Sequence, residues 1–282
     1  MIGALIGDIV GSRFEFHTHK AKDIRFFHRR CKPTDDSIMS LAVAKAIVAC
    51  DGNYAELSQV AVACMQELGQ AYPNAGYGGS FYDWLWESDP QPYNSYGNGA
   101  AMRVGPCGFA AQSLEEAREL SRKVTQVSHD HPEGLKGAQA LTDAVYLARM
   151  GATRQDLRAH VCEHYYDIDF TIDQIRPTYQ FDVSCQGSVP VALEAFLEST
   201  SFEDAIRTAV SVGGDSDTIA AMAGAVAEAY YGVPQDFVLA ADNYLDERQS
   251  QILASFERRF PSRALDADGN PTTTVFQVLQ GQ

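Results

Sequence analysis

The segment from Ile219 to Tyr231 is the feature that most restricts how this chain can fold. It contains the run Ala220-Ala221-Met222-Ala223-Gly224-Ala225-Val226-Ala227, and Gly232 and Pro234 follow it as signals that end a helix. A helix that is apolar on every side is buried, and its small side chains allow neighbouring helices to approach closely. We therefore predict a central helix that is surrounded by others.

Most other segments also repeat apolar residues at helical spacing, as from Leu41 to Val48, and alternating strand patterns are scarce. Ser113 and Ser201 have acidic residues three positions later, as N-caps often do. No repeat or linker interrupts the chain, so we predict one all-α domain over residues 1–282. Within it we expect helices over about 134–150 and from 202 to the Gly213-Gly214 pair, long loops over 72–108 and 167–188, and a short extended piece at 273–276.

Charge and cysteine content exclude several classes of function. The formal net charge is −15, with 22 basic against 37 acidic residues, which disfavours a nucleic-acid groove. The six cysteines are scattered and form no CxxC pair, so we predict reduced thiols and a cytoplasmic location. No run is long enough to cross a bilayer, and neither a signal peptide nor a membrane partner is predicted.

Two acidic clusters stand out, and each lies directly before an apolar helix. They are Thr34-Asp35-Asp36-Ser37 and Asp215-Ser216-Asp217-Thr218. Either cluster alone is explained by helix capping, but capping needs only one such residue. Adjacent carboxylates repel each other unless a cation lies between them, and ligands that are all oxygen suit Mg²⁺, Mn²⁺ or Ca²⁺. If the clusters face each other, they could hold two ions.

Glu15 follows Phe14 at the end of an apolar stretch, which makes partial burial plausible for a residue type that is usually solvated. A carboxylate beside a metal site can act as the base for an attacking water.

Five motifs follow one another along the chain. They are Gly7-Asp8 with Gly11 and Glu15; Thr34-Asp35-Asp36-Ser37 with Met39; Gly97-Asn98-Gly99-Ala100 with Met102-Arg103; Ser128-His129 with His131-Pro132; and Gly213-Gly214-Asp215-Ser216-Asp217-Thr218. In this order they resemble the motifs of the ADP-ribosylglycohydrolase family, most strongly over residues 1–234. Five ordered motifs are far more specific than any one of them.

The resemblance implies a single-domain orthogonal helical bundle that carries two Mg²⁺ or Mn²⁺ ions. It implies six metal ligands, which are Thr34, Asp35, Asp36, Asp215, Asp217 and Thr218. Glu15 matches a catalytic carboxylate of the family, and either Asp35 or Asp36 could donate a proton to the leaving group. The implied contacts to ADP-ribose are Gly78, Gly79, Gly97, Asn98, Gly99, Ala100 and His129. The expected substrate is an ADP-ribosylated protein or small molecule, and the product is ADP-ribose.

Two other functions stay open beside this one. Another Mg²⁺-dependent hydrolase of a nucleotide-like metabolite would share the metals and differ in substrate. A catalytically silent homologue could bind ADP-ribose only, although both ligand sets are intact.

Three further features are expected to be structural. His160-Val161-Cys162-Glu163-His164 matches the HxxEH zinc pattern but has no third ligand that we can place, so we predict an exposed helix face here and not a metal site. His131 precedes a proline at a helix start, and Cys185 has no histidine near it in sequence. We predict a structural role for His131 and a buried thiol at Cys185.

Overall fold

The computed structural model describes residues 1–281, and helices dominate it, so the predicted all-α class is confirmed. The helices are α1 (Ile2–Gly11), α2 (Asp35–Ala49), α3 (Leu57–Ala71), α4 (Gly79–Trp84), α5 (Gly99–Met102), α6 (Gly105–Ala110), α7 (Leu114–Thr125), α8 (Pro132–Arg149), α9 (Arg154–His164), α10 (Ile172–Ile175), α11 (Cys185–Leu197), α12 (Phe202–Ser211), α13 (Ser216–Tyr231), α14 (Gln235–Asp242), α15 (Glu247–Arg259) and α16 (Val275–Gln280).

Helix α13 is the predicted central helix. Helix α1 packs against it over the whole length of α1. A Cβ added at Gly3 would lie 2.3 Å from the carbonyl oxygen of Gly224, and one at Gly7 would lie 2.0 Å from that of Ala220. At Gly11 the same distance, to the carbonyl oxygen of Ser216, is 2.5 Å. The contacts run in opposite directions along the two helices, which are therefore antiparallel. Glycine every fourth residue of α1 allows this close approach.

This antiparallel packing brings the end of α1 beside the start of α13. At the opposite end, the Met1 amino group donates to Glu228 Oε1 at 2.6 Å and also to Glu257, while Gly3 N donates to Glu228 Oε2 at 2.7 Å. All three ionic groups of this cluster are buried. Helices α8, α11 and α12 pack on other sides of α13, and α2 packs on α3 and α15.

Most helix ends lie where the sequence signals place them. Helix α12 ends before Gly213 and Gly214, which both have a φ of 73°, and α13 ends at Gly232 with a φ of 88°. The helix predicted over 134–150 is α8, and the one predicted over 219–231 begins three residues earlier, at Ser216. Ser113 and Ser201 cap α7 and α12 with their side chains.

The two long loops were predicted wrongly, because both contain short helices. Helices α4, α5 and α6 lie in or overlap residues 72–108, while α10 and the start of α11 lie in 167–188. Helix α4 forms because Phe81 and Trp84, one turn apart, are both buried, and Trp84 Nε1 donates to Val127 O at 3.1 Å. Tertiary packing of this kind leaves little periodic signal in a six-residue helix.

A small sheet joins three short strands, β1 (Val233–Pro234), β2 (Arg263–Leu265) and β3 (Pro271–Thr274). Strand β1 pairs parallel with β2, which pairs antiparallel with β3. The extended piece predicted at 273–276 is right for Thr273 and Thr274. It is wrong beyond them, because Thr274 accepts from Gln277 N and so caps α16.

All six cysteines are free thiols, and Cys185 is buried as predicted. Among residues 1–281, no helix combines the length and the apolar character needed to span a membrane.

Candidate metal centre and cleft

Asp8 is a carboxylate in the middle of α1, a helix whose ten residues are all buried. Its Oδ1 accepts from Thr34 Oγ1 at 2.6 Å, and its Oδ2 accepts from the backbone N–H groups of Thr34 at 2.8 Å and Ser37 at 3.0 Å. The Ser37 hydroxyl also donates to Oδ2. Asp8 therefore accepts from two N–H groups at the start of α2, and accepting from that of Ser37 is a task usually done by the N-cap side chain.

The side chains of the first acidic cluster do not cap α2, because Asp8 accepts from its N–H groups. Thr34 is the N-cap of α2, yet its side chain accepts no capping hydrogen bond. Its hydroxyl donates instead to Asp8 and lies 3.3 Å from Asp36 Oδ2. The capping explanation for this cluster therefore fails.

In the second cluster the N-cap side chain is also not used for capping. Asp215 is the N-cap of α13 without a side-chain capping bond, and its Oδ2 accepts from Asn98 Nδ2 at 2.6 Å. The left-handed pair Gly213 and Gly214 turns the chain into this position. A Cβ at Gly214 would lie 2.8 Å from Tyr179 Cε1, so both the conformation and the space favour glycine.

The two clusters, about 180 residues apart in sequence, meet in space as the sequence suggested. Thr218 Oγ1 donates to Asp36 Oδ2 at 3.1 Å across 182 positions. Asp8, Asp36 and Asp217 each place a carboxylate oxygen within 4.8 Å of the others. Glu15, Asp215 and Asp217 form a second group by the same measure, so Asp217 is shared by both. Asp35 is in neither group, although it lines the adjacent cleft.

Burial and mutual repulsion disfavour the charged form of these carboxyl groups when no cation is bound. Burial first, and then neighbouring carboxylates, raise the pKa values of Asp36 and Asp217 well above the usual range. The same two causes, with Asp8 as the carboxylate that contributes most, raise the pKa of Asp35 to about 8. Asp36 Oδ1 is buried and has no hydrogen-bond partner among residues 1–281. Divalent cations would satisfy this oxygen and compensate the charge.

Glu15 lies at the edge of this centre. Burial first, and then Asp215, raise the pKa of its carboxyl group. The side chain is partly exposed and lines the cleft, where it can exchange protons with water.

A cleft of about 350 Å³ opens beside the acidic residues. Gly78 and Gly79 border it, and a Cβ at either would meet no atom within 4 Å. Gly97, Asn98 and Gly99 form another wall. Ala100, also expected at the substrate, is fully buried and is not part of the lining.

The Gly97-Asn98-Gly99 loop is held in place by the segment that precedes α11. Asn98 N donates to Val183 O at 2.7 Å, and Cys185 N donates to Tyr96 O at 2.9 Å. Since the Asn98 amide donates to Asp215, it links the cleft wall to the acidic centre. His129 lines the cleft beside this loop, whereas His131 caps α8 by accepting from Glu133 N, which confirms a structural role for His131.

Sequence reasoning missed three parts of the site. Asp8 belongs to the first motif, and a carboxylate in an otherwise apolar helix is itself a signal for a role in the site. Arg103 belongs to the third motif, and it lines the cleft. Phe181 and Val183 also line it, and nothing in their sequence context indicated that.

The HxxEH segment takes no part in this centre. His160 Nε2 lies 2.9 Å from Asp143 Oδ2, and the Glu163 side chain is 75% exposed. The exposed Glu163 and His164 agree with the exposed helix face predicted from the sequence, whereas His160 is partly buried.

Comparison with known proteins finds similarity over nearly the whole chain. The family model "ADP-ribosylglycohydrolase" matches residues 1–262. Human "ADP-ribosylhydrolase ARH3" is 27% identical, over 90% of this chain and 90% of that protein. "ADP-ribosylarginine hydrolase Tri1" of Pseudomonas putida (strain GB-1) is 27% identical, over 83% of this chain and 70% of that protein. A solved "ADP-ribosylglycohydrolase-related protein complex" shares the fold, with a TM-score of 0.66 and 20% identity over 92% of this chain and 95% of that chain.

Proposed function

The chain belongs to the ADP-ribosylglycohydrolase family and is a hydrolase, and from this premise we propose that it releases ADP-ribose by cleaving its glycosidic bond to an acceptor. One observation carries the proposal. Two groups of three carboxylates share Asp217, which lines a cleft of about 350 Å³ that two glycine-containing segments also border.

We propose that this centre holds two Mg²⁺ or Mn²⁺ ions. The ligands would come from Thr34, Asp35, Asp36, Asp215, Asp217 and Thr218, and the unpartnered Asp36 Oδ1 supports that set. Glu15 joins Asp215 and Asp217 in one group, which makes it a further candidate. When bound, the ions would supply Lewis-acid stabilisation of negative charge and lower the pKa of water.

The protein's own groups then have separate tasks. Asp8 holds the first turn of α2, so that Asp36 keeps its position, and Asn98 orients Asp215. Glycine backbone N–H groups in the cleft can bind the pyrophosphate without side-chain clashes. Cleavage at the anomeric carbon develops positive charge on the sugar, which the surrounding carboxylates stabilise.

Proton transfer is assigned to the carboxylates that line the cleft. Glu15 accepts a proton from the attacking water at a carboxylate oxygen, because it is exposed enough to pass that proton to solvent. Asp35 or Asp36 donates a proton to the leaving group, and both line the cleft. Of these two, Asp35 lies outside both carboxylate groups, so we assign it the donor role in preference to a role as metal ligand.

The test is release of ADP-ribose from three substrates that differ in the acceptor. Arginine-ADP-ribose, serine-ADP-ribose and acetyl-ADP-ribose are each incubated with the protein and Mg²⁺, with Asp217→Asn as the inactive control. We expect release from at least one of them. Tight binding of ADP-ribose without any release would establish a silent homologue instead. Hydrolysis only of other nucleotide-like metabolites would establish a different Mg²⁺-dependent hydrolase.

A further inference from the structure

Arg103 is a buried cation, with 1% of its surface exposed, and it forms no ion pair with a carboxylate within residues 1–281. Its guanidinium lies 5.0 Å from the centre of the Phe81 ring, and Nη1 lies 3.3 Å from Met65 Sδ. A buried charge without a counter-charge is costly. The polar contacts that the guanidinium does make therefore indicate what it contributes.

Those contacts converge on one nitrogen of His129. Arg103 Nη2 lies 2.6 Å from His129 Nδ1 and 3.0 Å from Ser128 Oγ, which itself lies 2.9 Å from Nδ1. A guanidinium only donates hydrogen bonds. His129 Nδ1 must therefore be the acceptor, and the single proton of the neutral ring is on Nε2.

The Nε2–H group faces the glycine wall of the cleft. A Cβ added at Gly99 would lie 3.2 Å from Nε2, and one at Gly97 would lie 3.7 Å from it. Both glycines and His129 line the cleft. The imidazole thus presents a donor where a glycine loop leaves space for a ligand.

We propose that Arg103 is a positioning residue, which fixes His129 as the neutral Nε2–H tautomer so that it donates to a pyrophosphate oxygen of ADP-ribose. The identity of the ligand rests on the proposed function, whereas the tautomer does not. Burial first, and then Arg103, hold the pKa of His129 well below its usual range. Tyr93, whose ring lies 5.5 Å from the imidazole, has a pKa raised to about 12 by burial and is neutral.

The tautomer is measured on the ligand-free wild type. Long-range ¹H–¹⁵N spectra distinguish a protonated from an unprotonated ring nitrogen, and His129→Gln assigns the signals. We expect a proton on Nε2 and none on Nδ1. A proton on Nδ1 would overturn the proposal, whatever the enzyme hydrolyses.

Variants then connect the tautomer to binding. Arg103→Met with Ser128→Ala removes both donors to Nδ1, and we expect mixed tautomers and a Kd for ADP-ribose about 2- to 5-fold higher, because the Kd rises by the inverse of the fraction that keeps the Nε2–H form. Arg103→Lys keeps a cationic donor and should restore both properties in large part. Methionine fills similar volume without a buried charge, so the fold should persist.

Arg149→Met is the matched control. Arg149 also lies over an aromatic ring, 5.4 Å from the centre of Tyr146, and Nη1 donates to Phe109 O at 2.7 Å, but it does not line the cleft. Its replacement should change neither the His129 spectrum nor the Kd. Wild-type affinity in the double variant would contradict the proposal. A wild type that shows the Nε2–H tautomer but does not bind ADP-ribose would overturn the proposed function and, with it, the identity of the ligand.

Discussion

The Asp8 carboxylate accepts the backbone N–H of Thr34 at 2.8 Å, across 26 positions of sequence. A side chain in the middle of one buried helix thereby fixes the first turn of another. The Asp36 carboxylate at that turn is then free to face the second acidic cluster, from which Thr218 donates to it.

Asp8→Asn should destabilise the start of α2 and weaken metal binding. An asparagine amide cannot accept all the hydrogen bonds that the carboxylate receives from Thr34 and Ser37, and its NH₂ would oppose their donors. We expect a loss of about 1–3 kcal/mol in the free energy of unfolding. Chemical denaturation with and without Mg²⁺ measures both effects. Asp236→Asn, at an exposed acid in the first turn of α14, is the control and should change neither.

Asp217→Asn should change the thermal stability of the protein in opposite directions with and without metal. The carboxylates repel one another in the metal-free protein, so Asp217→Asn should raise its melting temperature in EDTA. Because Asp217 belongs to both carboxylate groups, the variant should lose the stabilisation that Mg²⁺ gives the wild type, as well as the hydrolase activity. Thermal melts in EDTA and in Mg²⁺ test this. A wild-type melting temperature that does not respond to Mg²⁺ or Mn²⁺ would count against the dinuclear centre.

Glu15→Gln should separate catalysis from binding. Glutamine keeps the size of the side chain but cannot accept the proton, so turnover should fall by roughly 10²–10⁴ while ADP-ribose still binds. Metal content and turnover are measured on the same sample. Full metal with normal turnover would exclude a base at Glu15, whereas lost metal would make it a ligand. Glu163→Gln, at an exposed glutamate far from the carboxylate groups in sequence, should behave as wild type.

Gly7→Ala should destabilise the whole protein. The added methyl group would lie 2.0 Å from the carbonyl oxygen of Ala220, which is backbone and cannot rotate away, so α1 and α13 must separate. We expect a loss of at least about 1–3 kcal/mol, although alanine is the better helix former. Gly79→Ala in α4 meets no atom within 4 Å and should be neutral or slightly stabilising. Equal unfolding free energies for the two variants would show that α1 and α13 tolerate a wider separation.

The sequence by itself determined the helices with strong periodicity and clear end signals, because these depend on residues close together in the chain. It also determined that each acidic cluster begins a helix, and α2 and α13 confirm this. It did not reveal α4, α5 or α6, since helices of four to six residues are stabilised by packing more than by pattern.

Only the tertiary structure decided which groups meet. The glycines of α1 let its end approach the start of α13, and this brings Asp8 and Asp36 to Asp217. Capping alone would explain each acidic cluster as a separate helix start, but the capping of α2 by Asp8 is visible only once the two helices pack. In the same way, Arg103 reaches His129 across 26 positions, and Asn98 reaches Asp215 across 117. Such contacts depend on how the helices cross, and the spacing of residues along the sequence does not predict that.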